Sequence, residues 1–275
     1  MQFHSEGGLE LLSRFREKRR SVNLDETLFS SDIGDRNVIE IVGASSTGKT
    51  LLLCQFIAKC ILPARYKGIK IDGCDSCAIL IDTFGQVQMS KLAELMTIMT
   101  RTAYQTAGVQ LPGETVDLVV SKSLENLTVI NCCNNDQLQL TLHALEDELL
   151  SNERIALLAI DNILAYYWQR RREKGILSMD QYARSLVRII RARISHFCNV
   201  TVYTRWDESV SEYEPPVTSL SNSKCINLLE GTGVNYKLKL CKRSVPREFI
   251  CRIESTNNVK QIRYTISDSG IKWIL

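Results

Sequence analysis

The sequence predicts an α/β protein built on a mostly parallel, doubly wound sheet with helices on both faces and a C-terminal antiparallel meander. Three observations carry that prediction. A glycine-rich phosphate-loop pattern, Gly43 to Thr50, lies between a short β-rich run and a run of helical period. Downstream, apolar runs of strand length alternate with helical segments, the pattern of parallel strands joined by crossover helices. After Glu230 the texture changes to short alternating runs separated by turn residues, as antiparallel strands added to one edge of the sheet require.

In chain order, Leu9, Leu12 and Phe15 share one face of an opening helix expected at about Gly8 to Lys18, and a polar linker follows to Arg36. Val38 to Val42 is the first strand, and Thr50 to Cys60 a helix stopped by Pro63. Ala78 to Ile81 is a strand ending in Asp82, and a helix is expected at about Met89 to Ala103. Leu127 to Asn131 is a strand and Asp136 to Leu150 a long amphipathic helix. Ile155 to Ile160 is fully apolar and ends in Asp161, as expected of a central parallel strand covered on both faces. Met179 to Phe197 is helical and Val200 to Thr204 extended. The closing strands are Tyr236 to Lys242, Phe249 to Ile253, Ile262 to Ile266 and Ile271 to Ile274, with Asn257-Asn258 and Ser269-Gly270 as turns.

Composition narrows the classes of function. Apolar residues make up 44% of the 275, yet no run approaches the roughly 18 uninterrupted apolar residues that cross a bilayer, so no membrane partner is expected. Glu6, Glu10 and Glu17 sit where a secretory signal would be apolar, which points to a cytosolic or nuclear protein. Ten cysteines would suit a metal or disulfide framework, but Cys54, Cys60, Cys198, Cys241 and Cys251 lie in apolar-patterned segments and read as packing residues. Cys74 and Cys77 form the sole Cys-x-x-Cys pair, and no histidine is spaced to complete a zinc site. A net charge of +3 is too small to argue for nucleic acid, so the distribution of charge decides that question.

Chemistry concentrates in Gly43, Ala44, Ser45, Ser46, Thr47, Gly48, Lys49 and Thr50. Glycines let the backbone wrap a phosphate, whose charge meets loop N–H groups and the positive end of the following helix. Lys49 is placed to reach the terminal phosphates of ATP, and the Thr50 hydroxyl to ligate Mg²⁺. Asp161, delivered to the carboxyl edge of the sheet, is the candidate for the second Mg²⁺ ligand. Hydrolysis also needs a group that orients water. The acids at strand ends are Asp82 and Asp161, and Asp82 is followed by Thr83 and Phe84, an aromatic where a further acid could stand.

Two segments bear on partners. Trp168 to Gly175 reads as a loop that gathers an aromatic ring with Arg170, Arg171, Arg172 and Lys174, a set suited to single-stranded DNA by phosphate contact and stacking, or else a solvated turn or partner surface. Arg184, Arg188 and Arg191 recur at helical spacing on the next helix and extend that basic surface. By contrast, Asp207 to Glu230 is long, polar and net acidic, which favours protein contacts over DNA.

This order of parts resembles the ATPase core of the eukaryotic RecA-like recombinases: glycine loop, Ile81-Asp82-Thr83, apolar strand with Asp161, basic segment, long acidic segment and closing meander. The resemblance spans about Val38 to Leu275. Ala58 to Pro63, Asp161 to Trp168 and Gly8 to Leu12 are similar to one branch of that family, the recombinase paralogues. It implies an N-terminal helix and linker over residues 1–36 and a RecA-like ATP-binding core over 37–275. Also implied are ATP and Mg²⁺ as cofactors, a nuclear location, and a role in homologous recombination, meiotic recombination included.

Departures from the family pattern refine that expectation. Phe84 stands where the recombinases place a catalytic glutamate, and Thr204-Arg205-Trp206 where they carry an Asn-Gln pair. Residues 1–36 hold no Phe-x-x-Ala self-assembly motif, so filament growth by this chain alone is not expected. The resemblance therefore implies weak or partner-dependent ATP hydrolysis in a hetero-oligomer of paralogues acting on single-stranded or branched DNA. The alternative is a structural adaptor with a vestigial nucleotide pocket.

Overall fold

Nine strands form one sheet in the computed structural model, which describes residues 22–29, 36–110, 112–175, 177–194, 197, 200–207, 229–243, 247–256 and 258–274. The sheet strands are β1 (Asn37–Gly43), β4 (Cys77–Asp82), β5 (Leu127–Asn131), β6 (Ile155–Asp161), β7 (Val200–Trp206), β8 (Tyr236–Lys242), β9 (Phe249–Ser255), β10 (Val259–Ser267) and β11 (Gly270–Ile274). Their order is β11-β10-β9-β8-β1-β7-β6-β4-β5. From β5 to β8 every neighbouring pair is parallel, and β8, β9, β10 and β11 pair antiparallel. The meander thus extends the edge of the parallel sheet through β8, as its texture predicts.

Side chains alternate between two cores, as the period of a strand demands. Leu157 and Ala159 of β6 join one core with Ile39 and Ile41 of β1, against α1 (Lys49–Ile61), α2 (Met89–Thr106) and α3 (Gly113–Leu124). Leu158 and Ile160 join the other, against α4 (Asn135–Ser151) and α6 (Met179–Ile189). Burial of β6 on both faces explains its unbroken apolar sequence. Two helix starts are set by side chains. Asn134 accepts from the Gln137 N–H at α4, and Ser178 with Gln181 forms a reciprocal capping box at α6.

Several elements differ from the sequence expectation. Trp168 to Gly175, expected as a loop, is largely helix: α5 spans Tyr167–Lys174 and ends at Gly175, whose φ is 87°. Its Gln-Arg-Arg-Arg-Glu-Lys run has good helix propensity, Gln169 bonds Glu173 one turn on, and Tyr167 anchors it in the core. The helix expected to reach Phe197 passes at Ile190–Ile194 into a π-helical turn.

Helix α3 has no counterpart in the sequence reading, because Thr115, Val116, Val119 and Val120 are weak helix formers. Neither has the hairpin of β2 (Arg65–Tyr66) and β3 (Ile69–Lys70), whose strands are too short to show a period. Lys67 and Gly68, both at positive φ, turn it. Residues 22–29 lie in the span expected as a polar linker, yet Val22, Leu24, Leu28 and Phe29 are buried in the first core. Asp25 holds them there, accepting from the Thr27 and Leu28 N–H groups and from the Trp273 indole at 2.7 Å. The opening helix at about Gly8 to Lys18, most of Asp207 to Glu230, Cys198 and the Lys174 side chain lie outside what is described.

Candidate nucleotide-binding site

Strand β1 carries Gly43 to the carboxyl edge of the sheet, opposite Trp206 of β7 and Leu240 of β8. A Cβ there would stand 2.5 Å from the Leu240 carbonyl oxygen and 2.8 Å from Thr47 Oγ1, so only glycine fits. At the other end of the loop Gly48 has a φ of 89° and introduces α1, whose first turn holds no acidic residue. The positive end of that helix is left for an external anion. Ser46 also sits in the left-handed region, with a φ of 59°.

The meander buttresses the loop from above. Tyr264 of β10 donates its hydroxyl to the Thr47 carbonyl at 2.7 Å, and Ile266 and Ile271 close over Gly48. Gln55 of α1 bonds both the N–H and the carbonyl of Ile271, at 2.9 and 3.2 Å. Nothing in the sequence signals these contacts, since Tyr264 lies 217 residues from Thr47.

Lys49 is half-buried and donates to the Ala44 carbonyl at 2.7 Å. Burial holds its pKa below the ordinary lysine value, against the opposing pull of Asp161. The Thr50 hydroxyl donates to Asp161 Oδ2 at 2.6 Å across 111 residues, and Thr204 of β7 donates to the other carboxylate oxygen. Asp161 is 6% exposed. A hydroxyl and a carboxylate in contact at the head of a cationic loop are the oxygen donors that Mg²⁺ takes beside phosphate. The residues present therefore fit ATP with Mg²⁺, and Gly43 to Thr50 with Asp161 would hold them.

Asp82, opposite Asp161 in register, is otherwise engaged. Its carboxylate accepts from the N–H groups of Phe84, Gln86 and Val87 at 3.3, 3.2 and 3.1 Å and so shapes the turn after β4. Phe84 is 52% exposed and lies 6.4 Å from the Tyr166 ring. A ring cannot accept a proton, so neither residue is set to activate water.

The remaining predicted residues lie elsewhere. On α5, Trp168 is 56% exposed with Arg171 packed 5.3 Å over its ring, and Arg171 and Arg172 face solvent while Arg170 is half-buried. Arg205, noted in the sequence as a departure, is half-buried in a charged cluster. It contacts Glu40 at 3.5 Å and Asp180 at 2.5 Å, and Lys237 reaches Glu40 at 3.1 Å. Trp206 stands beside Gly43 in the parallel ladder. Cys54, Cys60, Cys241 and Cys251 are buried, in keeping with packing roles. Among the described residues no three His, Cys, Asp or Glu side chains gather as a metal cluster would, and no helix is long and apolar enough to cross a membrane.

A glycine loop between a parallel strand and a helix, an acid on a strand two places along the sheet, and an antiparallel extension beyond β8 together define a RecA-like P-loop fold. The Rad51 family model matches residues 17–271, and the chain belongs to that family. Within it, the chain is a RecA-like recombinase paralogue that resembles XRCC2. It is 29% identical over 166 residues to the DNA repair protein XRCC2 of Mus musculus, covering 60% of this chain and 54% of that protein. It is 25% identical over 199 residues to the DNA repair protein XRCC2 homolog of Arabidopsis thaliana, covering 64% and 53%. The chain spans about half the length of these curated relatives.

Proposed function

We propose that the chain binds ATP with Mg²⁺ at Gly43 to Thr50 and Asp161, and serves in the nucleus as one subunit of a paralogue complex. That complex assists recombinase assembly on single-stranded DNA during homologous-recombination repair of double-strand breaks and stalled forks. The observation that carries the nucleotide reading is the 2.6 Å contact between Thr50 and Asp161 at the mouth of a loop whose ends only glycine can occupy. Bound Mg²⁺ would offset phosphate charge. The chain's part is to cradle the anion with loop N–H groups, present Lys49 to it and hold Asp161 through the Thr50 and Thr204 hydroxyls.

Hydrolysis by the chain alone should be very slow, because Asp82 is consumed by three backbone N–H groups and Phe84 supplies no base. A partner's arginine, worth roughly 10³ to 10⁵ in rate, would make turnover depend on assembly. Calorimetry with ATP and Mg²⁺ tests the pocket: the wild type should bind and Lys49→Ala should bind at least about tenfold more weakly, the loss of one charge-assisted contact. Equal affinities would remove the assignment.

A second reading, an adaptor with a vestigial pocket, draws on the same engagement of Asp82 and the exposure of Phe84. It requires Lys49→Ala to leave assembly with other paralogues unchanged, which co-purification would show.

A further inference from the structure

The outer face of α6 and the turn over residues 229–235 enclose a hollow of about 310 Å³. Arg184 and Arg188, one helical turn apart, are exposed on its wall, and neither forms an ion pair among the described residues. Arg191 enters the same hollow, its guanidinium fixed by the Gly233 carbonyl at 2.8 Å, Asn235 Oδ1 at 2.5 Å and the Arg36 carbonyl at 3.3 Å. Across from the helix, Gly231 and Gly233 have φ of 72° and 78°, and their N–H groups donate to nothing among the described residues. A turn of that kind, with no Cβ on Gly231 to shield it, presents main-chain donors to an anion.

A second hollow of about 130 Å³ adjoins the first, the two sharing Arg184, Val187 and Thr232. There Arg205 and Lys237 meet Glu40 and Asp180, with Asp207 4.0 Å from Arg205. The buried Nε–H of Arg205 has no acceptor among the described residues. Basic side chains therefore outnumber acidic ones among the described residues that line the joined trough, and none of those that line the outer part is acidic.

We infer that this trough, whose outer arginines lie on α6 and the turn that follows it rather than on α5, is a phosphate-binding site for the backbone of single-stranded nucleic acid. Guanidinium forks match phosphate oxygens in two-point geometry, and among the described residues arginine is the only charged type on the outer wall. An acidic peptide would need an apolar or aromatic anchor pocket as well. Among the described residues the outer hollow offers only the side chains of Val187 and Ala192 for that purpose. The inference rests on the single-stranded-DNA role in the proposed function and not on the nucleotide pocket.

The test is fluorescence anisotropy of a labelled oligo-dT with the full chain, titrated between about 50 and 200 mM salt, the range over which phosphate contacts are weakened. Arg184→Ala/Arg188→Ala should lower the slope of log affinity against log salt by about 1.4, at about 0.7 per phosphate contact on single strands. Over a fourfold rise in salt the wild type should then lose about sevenfold more affinity than the double variant. Both arginines are exposed, so the melting temperature should be unchanged; should it fall, Arg188→Ala alone is measured, with half the change in slope. An unchanged slope there, with a reduced slope in Arg170→Ala/Arg171→Ala/Arg172→Ala, would overturn this site and leave DNA contact through α5 standing. No binding by the wild type at low salt would overturn both. Binding of an oligo-glutamate peptide in place of the oligonucleotide would make the trough a protein surface.

Discussion

Tyr264→Phe isolates one contact on which the phosphate loop depends. Tyr264 is fully buried, its ring stacked on Phe249 at 5.1 Å and edge-on to Trp273 at 5.6 Å. Phenylalanine keeps that packing and removes only the hydroxyl that donates to the Thr47 carbonyl at 2.7 Å. The loss is one buried hydrogen bond plus a carbonyl left without its donor, about 1–2 kcal/mol. For a chain of this size each kcal/mol moves the melting temperature by roughly 2–4 °C, so a fall of about 2–8 °C is expected by circular dichroism. Burial holds the Tyr264 phenol far above its ordinary pKa, so the donor stays protonated and the effect should be the same at about pH 6 and pH 9. Hydrogen exchange should show weakened protection confined to the loop around Thr47. A melting temperature within about 1 °C of the wild type, with unchanged exchange there, would refute the buttress, because the carbonyl would then have another donor.

Other perturbations follow from the same contacts. Gly43→Ala forces a Cβ to within 2.5 Å of the Leu240 carbonyl and should cost about 1–3 kcal/mol in chemical denaturation, as overpacking does; wild-type stability would mean that β1 and β8 can part freely. Burial alone would raise the Asp180 carboxyl, but the hydrogen bond and charge of Arg205 outweigh it and hold the pKa below the ordinary value. A depressed folded-state pKa gives stability that is present above the unfolded value and lost as pH falls through the folded one. Asp180→Asn should therefore lower the melting temperature at neutral pH and match the wild type in acid. The difference should be small because Asp180 is 59% exposed, and a gap that persists in acid would exclude the ion pair as its cause. A thiol reagent should label exposed Cys133 ahead of Cys54, whose thiol burial pushes up to about 12, and ahead of fully buried Cys251; mass spectrometry of labelled peptides would show a reversed order if the burial were wrong.

Much of the candidate site is legible because its chemistry is local. Gly43 to Thr50 is a contiguous pattern flanked by its own strand and helix, so the order of residues already fixes which groups lie at the turn. Asp161 is legible for a related reason: a parallel strand buried on both faces must be apolar, and the first acid after it falls at the sheet edge. Helix α5 was less legible, since a basic segment with no apolar stripe carries no period to mark it.

The division between sequence and tertiary structure follows from the range of the forces involved. Hydrophobic period and turn chemistry act over a few residues, and they determined the strand-loop-helix order, the doubly wound sheet and the antiparallel close. Contacts between distant segments have no such period. Tyr264 on Thr47, Gln55 on Ile271 and Trp273 on Asp25 exist only because the meander folds back over α1 and residues 22–29. The sequence could show that Phe84 and Arg205 break the family pattern. Only the folded chain decided that Asp82 is tied up by its own turn and that Arg205 faces Glu40 and Asp180, because hydrogen-bond and charge partners are chosen by proximity in space.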